Sequence, residues 1–274
     1  MRSPGTLQRE TEMIGGPLSL RETILWGLLG AALFLGVWAF LSLSGVVPPQ
    51  FLPSPLDVTG RFFSLLTSPF AGATLPQHLA SSLQRYAYGV LLAAMIGIPL
   101  GLLMGWFRLL DDIVTPIFDG LRFIAPIAWV PFAALWFGTG IGGPVMIIFA
   151  GAFPPCLINA YRGARFVEPR LIEAASMLGT GNMRMILEIL LPAAVPSIVA
   201  GLRVSAGLGW QSLVGAELIV AAAGVGFMMV QAQGNVQTAT VMAGMVSIGL
   251  VGMLIDVCLR QGEAWLRRRR GLEA

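Results

Sequence analysis

The sequence contains no lysine, because all 17 of its basic residues are arginine. A nucleotide-binding P-loop uses a lysine to reach the phosphates, so this chain cannot bind ATP in that way. The only histidine, His78, is too little for a histidine-based metal site or for a Ser/His/Asp triad. These absences predict a chain that is not an enzyme, with no catalytic residue, no cofactor and no metal.

Charge is scarce as well. Only 11% of the 274 residues are charged, 56% are hydrophobic, and the mean hydropathy is +0.79. Soluble domains carry roughly a quarter charged residues, so the polar surface of a water-facing globule is missing and lipid is the expected surrounding. The arginines are scattered among apolar runs, which argues against nucleic-acid binding despite a pI near 9.4.

Apolar segments near the length of a membrane span are the main feature of the chain. A helix needs about 20 apolar residues to cross a bilayer. Six segments approach or reach that length: 24–43, 87–107, 113–137, 145–160, 195–223 and 241–259. We therefore predict an all-α, polytopic membrane helical bundle with six transmembrane helices, forming a single domain over residues 1–274.

The arginines predict the orientation of these spans, since arginine-rich loops stay in the cytoplasm. They concentrate in the segments 1–21, 161–194 and 260–274, whereas 139–144 and 224–240 contain none. Both termini are therefore expected in the cytoplasm. The run 267–270 is expected to anchor the C-terminal tail to anionic lipid.

Two local patterns predict where helices begin. Ser19 with Glu22 and Ser54 with Asp57 have the spacing of capping boxes, in which two side chains satisfy each other's backbone N–H groups. The second box precedes a short helix that begins at Pro55 and that either lies on the membrane surface or serves as a rigid spacer.

Small residues recur every four positions inside two spans, which lets helices approach closely in lipid. The two ridges are Gly97, Gly101 and Gly105, and Gly201, Ser205 and Gly209. They predict a compact bundle without distinguishing one class of transport protein from another.

The long arginine-rich loop 161–194 contains a short amphipathic helix of its own. Pro169 can occupy its first position, and Gly179 with Gly181 can end it. One face is expected to carry Leu171, Ala174, Ala175 and Leu178. This face has few bulky side chains and suits a groove on a partner protein better than a lipid surface.

The same loop carries a specific resemblance. Glu173-Ala174-Ala175, Gly179, Ile189 and Leu191-Pro192 match the spacing of the EAA signature, so the chain resembles the permease subunits of binding-protein-dependent ABC importers. The resemblance implies that the short helix is a coupling helix that docks into a cleft of a separate cytoplasmic ATPase. The residues it implies for this contact are Glu173, Ala174, Ala175, Gly179, Arg170 and Leu178.

Most of the chain after residue 50 resembles one branch, the permeases for nitrate, taurine and aliphatic sulfonates. The similar stretches are 51–55, 77–85, 126–138, 201–218 and 224–228. The resemblance implies a bacterial inner-membrane homodimer that takes up a small anion with two ATPase subunits and an extracytoplasmic binding protein. Neither the resemblance nor the residues choose among taurine, sulfonate and nitrate.

Ionisable residues inside the predicted spans should face protein or a watery cavity, because they are costly in hydrocarbon. Asp119 and Arg122 can neutralise each other, and Arg203 can snorkel or pin its span to the loop 161–194. Glu217 either holds a neighbouring helix or backbone N–H, or lines the translocation path. The candidate path residues are Trp129, Phe132, Trp136, Trp210, Gln211 and Glu217, although aromatic residues at such spacing are often core.

An ion-driven secondary transporter is the alternative function, since it also needs charges within the membrane and broken helices. It does not need the EAA spacing, and the chain shows no convincing inverted repeat. An intramembrane enzyme would need clustered polar residues, and a channel leaves the loop unexplained.

Overall fold

The computed structural model describes residues 19–48, 50–138 and 140–269. Over these ranges the chain is helical and contains no β-strand. The helices are α1 (Leu20–Leu43), α2 (Pro55–Thr67), α3 (Leu75–Trp106), α4 (Arg108–Leu121), α5 (Val130–Phe137), α6 (Gly142–Arg165), α7 (Pro169–Met177), α8 (Asn182–Ile219), α9 (Val225–Gly234) and α10 (Thr238–Arg269). The predicted cytoplasmic position of residues 1–18 and of Arg270 lies outside the described residues.

The chain divides into two units, and the first ends at Gly60. Its long helix α1 begins with the predicted capping box: the backbone N–H of Ser19 donates to Glu22 Oε2 at 2.8 Å, and that of Glu22 donates to Ser19 Oγ at 3.3 Å. Near the end of α1, Trp38 Nε1 donates to the carbonyl of Pro53, which lies after the helix, at 3.0 Å. The segment that follows α1 is therefore held against the helix that precedes it.

The second predicted capping box is also confirmed. The backbone N–H of Ser54 donates to Asp57 Oδ2, and that of Asp57 donates to Ser54 Oγ, each at 3.2 Å. Helix α2 begins at Pro55 as predicted. Its location on the membrane surface stays a prediction.

The core of the second unit, which begins at Arg61, is built around α6. This helix packs along both α3 and α8 and is the most buried of the apolar helices. Both predicted ridges of small residues lie at these contacts. A Cβ at Gly101 would lie 2.9 Å from the Cβ of Ala160, and one at Gly201 would overlap Asn159. Close helix approach therefore requires glycine at these positions.

Among the described residues, five helices are long and apolar enough to span a membrane, and a sixth span is present if one bent pair is counted. The bent pair replaces the continuous helix predicted over 113–137. Helix α4 and the segment Pro126–Phe137 meet at 88°, with the second segment starting as a 3₁₀ turn at Pro126. A proline has no N–H to donate and disfavours helical geometry in the residue before it, which explains the break.

The loop predicted over 161–194 is much shorter than expected. Helix α6 continues to Arg165 and α8 already begins at Asn182, so only short turns flank α7. Within α8, the segment Met185–Leu190 is a π-helical turn that ends two residues before Pro192. The wider turn accommodates a proline that lacks the usual hydrogen bond, so the helix runs on without a break. Helix α10 likewise continues past the predicted end of its span, to Arg269.

Candidate functional site

Helix α7 has the bounds that the sequence predicts. It begins with Pro169 in its first turn after Glu168, and it ends in a Schellman motif. The backbone N–H of Thr180 donates to the carbonyl of Ala175 at 3.2 Å, and that of Gly179 donates to Ser176 at 3.0 Å. Gly179 has φ +75°, a conformation that glycine adopts without strain. The glycine therefore makes the turn out of α7, as the sequence predicts.

The two faces of α7 differ from the prediction. Ala175 is only 6% exposed and packs with Val167, Met185, Ile186 and Leu190. Ala174 and Leu178, predicted on the same face, are exposed. The α8 π turn contributes Met185 and Ile186 and covers the Ala175 side of the helix. Ala175 thus fixes α7 to its own chain, whereas most of the other α7 side chains are exposed.

Several of the exposed side chains on α7 and next to its ends are large and apolar. Leu178 is 85% exposed, and Glu173, Ala174 and Arg170 are also exposed. Phe166 and Met177, which the sequence analysis did not select, are 80% and 89% exposed. The feature of the sequence that could have indicated them is their position, since Phe166 lies shortly before the predicted helix and Met177 lies near its end. This is an apolar surface with a charged border, the composition of a protein-binding site.

A cavity of about 350 Å³ lies where α4 breaks, between that break, α6 and α8. Its polar lining consists of Arg122, Gln211 and Ser212, and the rest is apolar or glycine. A second cavity of about 190 Å³ shares Arg122 and includes Trp129. The structure thus places two of the predicted path residues, Trp129 and Gln211, in the walls of two cavities that have Arg122 in common.

The other aromatic candidates lie elsewhere. Phe132 and Trp136 have ring centroids 4.6 Å apart on α5, where Trp136 is 71% exposed. Trp210 is buried: its ring meets that of Tyr86 edge to face at 5.3 Å, and its Nε1 donates to the carbonyl of Ile248 at 3.2 Å. Trp210 and Gln211 are adjacent in sequence and so point to different sides of α8.

Glu217 is 2% exposed and lies in a network that joins α3, α8 and α9. Its Oε1 accepts from Arg85 NH1 at 2.9 Å. Its Oε2 accepts from Ser82 Oγ at 2.9 Å and from the backbone N–H of Gly226 at 3.0 Å. This geometry holds a neighbouring helix and a backbone N–H, as the first of the two sequence interpretations describes.

His78 extends this network. Its Nε2 lies 2.9 Å from the carbonyl of Phe70, and its Nδ1 lies 3.3 Å from the backbone nitrogen of Gly224. A carbonyl only accepts, so the proton belongs on Nε2 and Nδ1 accepts from Gly224. The turn into α9 is therefore fixed by side chains of α3.

Sequence reasoning missed Ser82 and Arg85 as partners of Glu217, and it missed His78 as a partner of Gly224. Their signal was their spacing, because residues four and three apart lie on one face of a helix. A stripe of three polar residues at the start of an apolar span indicates a buried partner on another helix. The identity of that partner depends on tertiary packing.

Three further ion pairs test the predictions for charged residues. Arg122 Nε lies 2.9 Å from Asp119 Oδ1, which confirms that these two side chains pair. Arg203 pairs with Asp256 at 3.2 Å and with Glu263 at 3.5 Å, both on α10. Pinning to the loop 161–194 was wrong, because α10 supplies two carboxylates on the side that Arg203 faces.

Comparison with known proteins agrees with this geometry. A family model described as "Binding-protein-dependent transport system inner membrane component" matches residues 97–271. The taurine transport system permease protein TauC of Escherichia coli is 36% identical over 89% of this chain and 88% of its own. The putative aliphatic sulfonates transport permease protein SsuC of Bacillus subtilis is 35% identical over 89% and 87%. The bicarbonate transport system permease protein CmpB of Synechococcus elongatus is 34% identical over 90% and 89%.

A solved structure described as inward-facing conformations of the MetNI methionine ABC transporter has the same fold. It covers 68% of this chain and 95% of its own, with a TM-score of 0.53 and 20% identity. Helical packing and an exposed short helix beside the bundle thus define a multi-pass subunit of a membrane transporter. The chain belongs to the family of inner-membrane components of binding-protein-dependent transport systems, and it is a permease subunit of an ABC importer.

Proposed function

We propose that two copies of this chain form the path for ATP-driven uptake of a small anion, of the kind represented by taurine, aliphatic sulfonates, nitrate or bicarbonate. Two separate ATPase subunits supply the energy, and an extracytoplasmic binding protein delivers the anion. The chain itself binds no nucleotide. Both termini and α7 lie in the cytoplasm of a bacterial cell, in accord with the positions of the arginines.

One observation carries this proposal: α7 is fixed to the bundle through Ala175, while the apolar side chains of Met177 and Leu178 remain exposed. The buried contacts of Ala175 reach α8 through Met185 and Leu190, and α3 through Leu103 and Trp106. Movement of α7 by a bound ATPase is therefore passed to both helices by direct packing.

Helix α8 links this contact with the cavity. It is continuous over 38 residues, from Asn182 beside α7 to Ile219, and it carries Gln211 in the cavity wall. A helix of this kind moves as a unit. Closing the ATPase around ATP would draw the two α7 helices together and tilt α8, and hydrolysis would reset the bundle.

The anionic substrate class is supported by the relatives and by the cavity. Three relatives are named as permeases for taurine, aliphatic sulfonates and bicarbonate. The cavity is lined by one cation and no carboxylate among the described residues. An anion is therefore the ligand that its lining favours.

Reconstitution of the complete complex tests this function. Proteoliposomes with the permease, its ATPase and its binding protein should take up one of these anions with ATP and not with an ion gradient alone. Leu178→Asp should abolish uptake and ATPase stimulation, since Leu178 is 85% exposed in the region proposed to contact the ATPase. Leu178→Met is the control and should preserve both. Uptake that persists without ATP, or with Leu178→Asp, would contradict the proposal.

A further inference from the structure

Arg85, Arg203 and Arg122 differ in how far carboxylates neutralise their charge. Arg85 is 7% exposed and paired with Glu217. Arg203 is paired with two carboxylates, at 3.2 and 3.5 Å. Arg122 approaches Asp119 with its Nε 2.9 Å from Oδ1, and its side chain is 35% exposed. Its terminal nitrogens hydrogen-bond to none of the residues that the structure describes.

Arg122 is also the charged residue of both cavities at the break. It lines the 350 Å³ cavity together with Gln211 and Ser212, and it borders the 190 Å³ cavity beside Trp129. The ring of Phe123 lies 4.9 Å from the guanidinium carbon. Stacking of this kind orients the guanidinium plane and leaves its edge available.

The larger cavity offers free hydrogen-bond donors. Ser212 uses its hydroxyl proton on the carbonyl of Leu208, at 2.8 Å. The amide of Gln211 has no hydrogen-bond partner among the described residues, so its NH₂ group is available along with the terminal nitrogens of Arg122. Donors in this arrangement fit a ligand group with several acceptor oxygens.

We propose that Arg122 and Gln211 form a transient binding point for an oxyanion group of single charge, such as a sulfonate, nitrate or bicarbonate, within the translocation path. The inference rests on the proposed import function and assigns its specificity to these side chains. Asp119 balances the charge of Arg122 when the path is empty. That balance keeps the site weak, which suits a path from which the anion must also leave.

Variants at the ion pair separate this role from simple charge neutralisation. Each variant is reconstituted with the ATPase and binding protein and given the anion that the wild-type complex imports best among taurine, ethanesulfonate, nitrate and bicarbonate. Arg122→Gln should lower uptake roughly tenfold or more, since hydrogen bonds from a charged donor are lost. ATPase assembly and stimulation of hydrolysis by the binding protein should persist. Arg122→Lys should retain part of the uptake, because it keeps the charge but not the planar fork.

The double variant Asp119→Asn with Arg122→Gln is the decisive control. A purely neutralising Arg122 would be dispensable once Asp119 is neutral, so recovery of uptake in the double variant would overturn the inference. Wild-type uptake by Arg122→Gln would overturn it as well.

A variant on another helix keeps the inference testable if Arg122→Gln fails to fold. Gln211→Leu should lower uptake several-fold, and wild-type uptake by both Gln211→Leu and Arg122→Lys would contradict the inference. Failure of the wild-type complex to import any of the four anions would instead reject the proposed function.

Discussion

The buried carboxylate of Glu217 shows how a charge is held at the end of a membrane bundle. It is nearly inaccessible, yet it accepts hydrogen bonds from a guanidinium, a hydroxyl and a backbone N–H. A buried pair of this kind adds little over an apolar pair, but removing one partner leaves an uncompensated charge and is strongly destabilising. Gly224 completes the site, because a Cβ there would overlap the carboxylate.

Glu217→Gln is therefore expected to affect folding more than transport. Loss of one partner of a buried pair costs about 3–5 kcal/mol, and we expect the lower part of that range because the amide keeps one acceptor oxygen. Thermal unfolding in detergent should show a reduced melting temperature, while uptake per folded complex stays near that of wild type. Glu188→Gln, at an exposed position of the same helix, is the control and should change neither property. Normal stability with lost uptake would assign Glu217 to the path.

At the scale of the element, α7 combines two functions in different residues. Ala175 is packed against Val167 and the π turn of α8, whereas Ala174, Met177 and Leu178 are exposed. A nine-residue helix is too short to be stable by itself, so its geometry depends on that packing. The transmission of force and the recognition of the ATPase are thereby carried by different residues of one helix.

Matched substitutions at Ala174 and Ala175 should separate these functions. Ala175→Asp places a charge among apolar side chains, so the isolated permease should unfold at a lower temperature, and coupling should be lost as a consequence. Ala174→Asp lies at an exposed position and should leave the melting temperature unchanged while weakening copurification of the ATPase. Equal melting temperatures for the two variants would contradict this division.

The bounds of α7 and the start of α1 could be predicted because they depend on neighbouring residues. Pro169, Gly179 and the Ser19–Glu22 box act through local backbone geometry, and the structure confirms each. Which side chains of α7 are exposed could not be predicted in this way, since Ala175 is buried by residues of another helix. Arg85 as the partner of Glu217 was missed for the same reason: 132 residues separate the two in sequence.

At the scale of the molecule, α5 exposes large apolar side chains. Leu135 is 85% exposed and Trp136 is 71% exposed. Exposed apolar side chains of this size suit a contact with a second permease copy, as the proposed function requires. Each copy would then contribute one α7 and one Arg122.

Complexes with mixed copies test this arrangement. Two differently tagged permeases, expressed together with the ATPase, should copurify through both tags with one ATPase subunit per permease. When one tagged copy carries Leu178→Asp, complexes selected for both tags should take up substrate at well below half the wild-type rate, because one free α7 leaves the ATPase dimer unable to move both halves together. Mixed complexes with Leu178→Met measure the effect of tagging and should match wild type. A functional complex that contains a single permease copy, or mixed complexes with half the wild-type uptake, would show that the copies do not act as one unit.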